Sequence, residues 1–339
     1  MHNLRLVPTN SPACYFPLAN GRYEVKPGLM PLGTDLGNGE ADRRVFQIDD
    51  RFAEYRAEKL IARRERLDKY YQTYRIKNSV MAAVAKLMVD RLVEEYPQYF
   101  VVRRSMDQTM FESRLTGETL YFDPHWQLQR VENGSLTPAY VSTLDALAMQ
   151  VQEDWAVVCR AGDRNWLSAI HLCFPNYWAA EEKIGKEFAV VHAPVAGMEK
   201  INRRSQAIVQ TMITQKPMVR FAWGLSTDTQ LNHHPEPPPG VTVENWQGRQ
   251  FDPCNPHLYL RIERQVICGL PQQEAALFTI RTYFRDCHEI KQHPVLREPL
   301  RRAIASMSPA SLVYKGLVES QTKILDWLNQ PWSDDRGAE

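Results

Sequence analysis

Between residues 155 and 284 the chain carries an order of elements that leaves few folds open. Two β-prone runs joined by a short turn are followed by a helical stretch and then by three more β-prone runs. The first pair, Trp155–Arg160 and Trp166–Phe174, flanks Ala161-Gly-Asp-Arg-Asn165, a polar turn of hairpin length. Helical pieces are predicted around Tyr177–Ile184, stopped by Gly185, and over Glu199–Thr214. Met218–Trp223, Leu258–Ile267 and Ala276–Phe284 then read as strands, the first two separated by a proline-rich loop containing His233 to Gly240. The class is α+β, an antiparallel sheet with helices across one face.

This order is the plan of a PAS-like domain, a five-stranded antiparallel sheet with a ligand pocket between helices and sheet. Residues 141–290 are assigned to that core. Residues 1–140 are predicted as an extension packed on it, beginning with a Pro- and Gly-rich arm of about 45 residues. Asp49 or Asp50 caps a charged helix from about Arg51 to Tyr74, whose exposed face Glu65 and Lys69 support at i, i+4. Ser79 caps a second helix, with Val80, Val84, Leu87, Met88 and Leu92 on one stripe. Residues 99–122 read as a hairpin of Tyr99–Arg103 and Thr119–Phe122, with Thr116-Gly-Glu118 as the turn nearby. Ser142-Thr-Leu-Asp145 is a capping box that opens a helix. Helices near Val295–Ser306 and Ser311–Asn329 fill residues 291–330, ahead of a polar tail over 331–339, and the whole is expected to pack as one unit.

The 41 basic residues nearly balance the 40 acidic ones, so nothing electrostatic points to nucleic acid or an anionic membrane. No window approaches the roughly 18 apolar residues of a membrane helix. The first residues, Met-His-Asn-Leu-Arg-Leu-Val-Pro, lack a signal-peptide core, and a cytoplasmic location is expected. Six scattered cysteines form no Cys-x-x-Cys pair, so they read as free thiols in a reducing compartment rather than zinc or iron–sulfur ligands. Gly-x-Gly-x-x-Gly and Gly-x-x-x-x-Gly-Lys-Ser/Thr are absent, so nicotinamide and nucleoside triphosphate have no local support.

A few polar residues need an explanation that packing does not supply. His192 stands between the apolar run Phe188–Val191 and Pro194, a setting that suits a metal or haem ligand. Arg220 alternates with Met218 and Ala222 in a small, apolar row. It either meets an anion there or runs out to solvent or to a nearby acid. Glu263 shares a face of its strand with Tyr259, Arg261, Gln265 and Ile267. Lining a pocket, it would hold a cationic amine or relay protons; facing water, it would be an ordinary solvated strand residue. His171 reads as a core histidine, and the adjacent His233 and His234 are poorly set to share a metal.

Several of these stretches recur together in one family. They are Lys26-Pro-Gly-Leu-Met-Pro-Leu32, Ile48-Asp49, Gln152-Glu-Asp154, the spaced Pro175, Trp178, Glu182, Lys183 and Gly185, His192-Ala-Pro-Val195, Arg261-Ile-Glu-Arg-Gln265 and Phe278-Thr-Ile-Arg-Thr-Tyr283. In this ordered combination, from about residue 15 to 290, the chain resembles the α subunit of haem-dependent oxidative N-demethylase. The resemblance implies a haem-binding PAS-type fold and the oxidation of a small secondary amine such as dimethylamine to methylamine and formaldehyde. It implies oxygen as co-substrate and NADPH-derived electrons from flavin and 2Fe-2S components on a separate reductase of ferredoxin/flavin type, which agrees with the missing Cys-x-x-Cys and Rossmann motifs here. It further implies His192 as the ligand of haem b iron, Arg220 and Arg264 as cofactor-binding residues, and Arg220 and Glu263 as the catalytic pair. Phe221-Ala-Trp223 stands where the family pattern is a more polar Asn-Trp, which leaves pocket polarity and substrate identity open. A non-catalytic haem sensor or carrier on the same scaffold is the alternative, and a fold that has exchanged haem for another small molecule is a third reading.

Overall fold

The five core runs pair into a single antiparallel sheet, in a computed structural model that describes residues 5–134, 136–246 and 249–330. The expected tail over 331–339 lies outside the described residues. In chain order the strands are β1 (Met30–Pro31), β2 (Tyr71–Thr73), β3 (Phe100–Arg104), β4 (Thr109–Ser113), β5 (Thr119–Phe122) and β6 (Leu128–Glu132). They continue with β7 (Asp154–Ala161), β8 (Arg164–His171), β9 (Met218–Ser226), β10 (Tyr259–Leu270) and β11 (Ala275–Asp286). The helices are α1 (Phe52–Tyr70), α2 (Asn78–Glu95), α3 (Thr143–Ala148), α4 (Ala180–Lys183), α5 (Phe188–Val191) and α6 (Glu199–Asn202). After them come α7 (Ser205–Thr214), α8 (Val243–Trp246), α9 (Cys287–Gln292), α10 (Pro294–Ala305), α11 (Pro309–Lys315) and α12 (Gln321–Asn329).

The main sheet has the order β1-β9-β10-β11-β7-β8-β2, seven strands rather than the five expected. Both additions are short edge strands that occupy otherwise unpaired backbone groups. From the N-terminal arm, β1 sets Met30 opposite Val219; β2 sets Tyr71 opposite His171. The second pairing ends α1 at Tyr70, short of the predicted Tyr74, because the aromatic and β-branched Tyr71-Gln-Thr73 finds a sheet edge to join. Neither aspartate caps α1 as a helix N-cap, although Asp49 Oδ1 accepts from the Arg51 N–H at 3.1 Å. Lys69 and Glu65 pair at 2.6 Å, but Lys69 is buried, so the pair is not on the exposed face.

A second sheet, β3-β4-β5-β6, replaces the predicted hairpin. Its β4 was hidden by chemistry: the inward positions are Thr109, Phe111 and Ser113, so burial alternates where hydrophobicity does not. Ser142 does cap α3, accepting from the Asp145 N–H at 3.1 Å.

Cross-strand register decides which residues share a face. Arg220 lies opposite Gln265, Ala222 opposite Glu263 and Gly224 opposite Arg261. On the other side of β10, Glu263 lies opposite Thr282 and Gln265 opposite Ile280. The apolar end of this face packs under α7, where Val209, Met212 and Ile213 meet Ile267, Ala276, Ala156 and Val158. Gly269 permits that contact, since a Cβ there would stand 2.2 Å from the Ile213 carbonyl oxygen. The opposite face is covered by the largest core, which α2, α3 and the second sheet share with Val219, Val266, Cys268 and Leu277. No helix among the described residues is long and apolar enough to cross a membrane.

Candidate functional site

His192 follows directly on α5 with backbone angles of −99° and 0°, so the helical turn carries its ring back over Phe188. Nδ1 lies 2.8 Å from the Phe188 carbonyl oxygen, and the two rings are 4.2 Å apart centre to centre. A carbonyl accepts only, so Nδ1 carries the proton and Nε2 keeps its lone pair. Burial drives the pKa down to about 4, against the Phe188 carbonyl, with the charges of Arg220 and Lys183 pushing the same way. The imidazole is therefore neutral at pH 7, oriented by its second nitrogen and presents the other, which is the state a transition-metal ligand requires.

The β9–β10 face supplies the charges beside it. Arg220 makes one long bond, Nη2 to the Lys26 carbonyl oxygen at 3.4 Å, and its buried Nε has no partner. Burial lowers its pKa, and the charge of Glu263 opposes that shift. Glu263 is fixed by Gln265, whose Nε2 donates to Oε2 at 3.0 Å, while Gln265 Oε1 and Thr282 Oγ1 are buried without partners. Arg249 reaches the region from the loop before β10, its guanidinium 3.1 Å from the centre of the Tyr177 ring and its Nε unpartnered. From α11, Lys315 Nζ donates to the Trp223 carbonyl oxygen at 2.7 Å. His192, Arg220, Arg249, Glu263 and Lys315 all keep some accessible surface. Yet burial depresses the pKa of His192, Arg220, Arg249 and Lys315 alike.

The groups at hand fit a haem. A neutral, oriented imidazole suits the iron, and guanidinium nitrogens left without acceptors suit its carboxylates, because a buried unpaired cation is costly. Arg220, Arg249 and Lys315 outnumber the single carboxylate of Glu263 before any anion is added.

The structure brings together three of the four site residues singled out from the sequence: His192, Arg220 and Glu263. The fourth, Arg264, lies apart from them. Arg264 has the opposite parity on β10 and so lies on the other face of the sheet, with Ile262 and Val266. Its Nη2 donates to the Arg44 carbonyl oxygen at 2.8 Å, which ties the N-terminal segment to the sheet.

His171, His233 and His234 have other partners. His171 is a core residue, as its sequence context indicates. His233 pairs with Asp228 at 3.1 Å and stacks on Tyr177, whereas His234 faces Glu181 at 3.4 Å, so the two diverge. Asp154, His171 and Cys173 have ligand atoms within 4.8 Å of one another and form the one grouping of metal-ligand type among the described residues. Asp154 is already engaged by the N–H groups of Cys173 and Phe174 at 2.9 and 2.7 Å, and burial keeps Cys173 a thiol. That arrangement is a satisfied core polar cluster.

Gln265, Thr282, Arg249 and Lys315 adjoin these residues without being singled out by the sequence. Period-2 parity with Glu263 would have found Gln265. Lys315 and Arg249 arrive through long-range packing and leave no local signal.

A family profile described as "HODM_asu-like: Haem-dependent oxidative N-demethylase, alpha subunit-like" matches residues 38–325 of the chain.

Proposed function

We propose, from the premise that this chain belongs to the haem-dependent oxidative N-demethylase alpha-subunit-like family, that it binds haem b through His192 and oxidatively demethylates a small secondary amine such as dimethylamine. The observation that carries the proposal is the pairing of a neutral, oriented imidazole with an unsatisfied guanidinium near enough to press on its pKa.

Among the core strands, the first in sequence, β7, lies between the second, β8, and the last, β11, and β11 is the middle strand of the five. That order and the helices over one face support a PAS-like core. His192 would hold the iron through Nε2, and Arg220 with Arg249 would take the haem carboxylates. Haem, when bound, supplies the reduction of dioxygen and the oxidation of a methyl group. Glu263, steadied by Gln265, would receive the substrate ammonium as a charge-assisted pair. The overall reaction balances as dimethylamine, O2, two electrons and two protons giving methylamine, formaldehyde and water. The electrons would come from a separate reductase carrying flavin and 2Fe-2S centres, in the cytoplasm where NADPH is available.

The test supplies haem-loaded protein with such a reductase, NADPH, oxygen and dimethylamine, and measures formaldehyde against methylamine. Equimolar products, lost in Glu263→Gln, are expected. Reversible gas binding without turnover would instead favour a sensor or carrier.

A further inference from the structure

We infer that Lys315 is a positioning residue of this site, its amine competing with the ammonium of an incoming substrate for the carboxylate of Glu263. The inference rests on the role given to Glu263 above and adds a control on when that carboxylate is available.

The geometry begins with α11. Gly316, at φ +66°, ends the helix and turns the chain away, leaving Lys315 directed at the edge of β9. Its Nζ bonds the Trp223 carbonyl oxygen at 2.7 Å. The amine sits 3.8 Å from where a Cβ on Gly224 would be, an ordinary contact distance that places it above that position. Gly224 lies opposite Arg261 and Ala222 lies opposite Glu263, so that Cβ direction marks the face that carries Glu263. The lysine thus stands over this face, one alternate position along from the carboxylate.

The charged groups around the pair come from every neighbouring element. Glu263 on β10 attracts the amine, and Arg249 from the preceding loop repels it. Tyr23 of the arm has its ring centre 6.0 Å from Nζ, and Tyr314 lies beside it in sequence with its ring at 5.5 Å. Arg220 faces Glu263 from β9, while Arg261 is engaged by the carbonyls of Phe174, Gln230 and Leu231.

Burial pulls Lys315 down to about 8, Arg249 adds to the shift and Glu263 opposes it. Burial pushes Tyr23 up to about 12 and raises Tyr314, so both stay neutral at pH 7 to 9. The arginines stay charged over that range. Lys315 is therefore the group in this set that changes charge there. Protonated, it compensates Glu263; neutral, it leaves the carboxylate open. Binding a dialkylammonium at Glu263 then releases the Lys315 proton to the buffer.

The experiment is isothermal calorimetry of the haem-loaded full chain with dimethylammonium chloride, at pH 7 and pH 9, in buffers of differing ionisation enthalpy. A competitor titrating near 8 makes binding about tenfold weaker at pH 7 than at pH 9, with about one proton released per amine at pH 7. Lys315→Met is expected to bind at pH 7 as tightly as wild type at pH 9, with no proton release. Lys315→Arg, always charged, is expected to bind weakly at both. A lysine that only braces the β9 edge would weaken both variants alike and leave the wild-type profile flat. Flat wild-type affinity without proton release, while Glu263→Gln still abolishes binding, overturns this inference alone. No binding by wild type overturns the role of Glu263, and this inference with it.

Discussion

Replacing His192 by leucine in haem-free protein tests whether the imidazole is held neutral, as an iron ligand must be. The unfolded chain titrates this group near 6.5, whereas the folded protein holds it at about 4. Between those values the unfolded state binds more protons, so the contribution of this residue to stability is complete above 6.5 and falls as pH drops toward 4. At pH 5 the two values correspond to about 2 kcal/mol of lost stability relative to pH 7.5. Leucine has no proton to bind. At pH 7.5 it forfeits the bond from Nδ1 to the Phe188 carbonyl, about 1 kcal/mol, partly offset by its own apolar burial. The advantage of wild type should therefore shrink or reverse at pH 5, a change of about 2 kcal/mol in the difference between the proteins. Urea unfolding at both pH values measures it, since urea adds no charge. Parallel curves for the two proteins would refute the reasoning, because they would mean the imidazole is already solvated and protonates freely.

Other substitutions separate the two faces of β10 and probe the core. Arg220→Leu should weaken haem binding at least tenfold, since a buried charged hydrogen bond contributes about 1.5–3 kcal/mol; Arg264→Leu should leave haem affinity unchanged while lowering stability, as its bonds go to the Asp42 and Arg44 carbonyls. Equal haem losses in spectrophotometric titration would contradict the assignment of faces. Arg63→Met should destabilise by about 3–5 kcal/mol in urea, because it strands the buried Asp145 carboxylate that Arg63 Nη2 meets at 2.8 Å. A loss below about 1 kcal/mol is what a solvent-screened pair gives, and would count against that reading.

The core was legible because its strands follow period 2 and its hairpin turn is polar, so Trp155–Arg160 and the runs after it could be placed within a few residues. Edge strands β1 and β2 were not, since Met30-Pro31 and Tyr71-Gln-Thr73 become strands only when a partner edge is present. The second sheet exceeds the predicted hairpin because Thr109 and Ser113 face inward and break the hydrophobic alternation of β4. His192 could be singled out from its local setting of apolar run and proline, and Glu263 from parity. Parity alone separates Arg264 from Glu263, and in the sheet the two lie on opposite faces. Lys315 depends on a C-terminal helix that returns to β9 and Arg249 on a loop that returns to Tyr177, contacts with no trace in local sequence.

The central claim is that His192 ligates haem iron, and an absorption spectrum tests it most directly. Recombinant protein supplemented with haem should show a strong Soret band, and His192→Ala should lose or shift it. Identical spectra for the two proteins would contradict the ligand assignment, and the absence of a band in both would remove haem from the account.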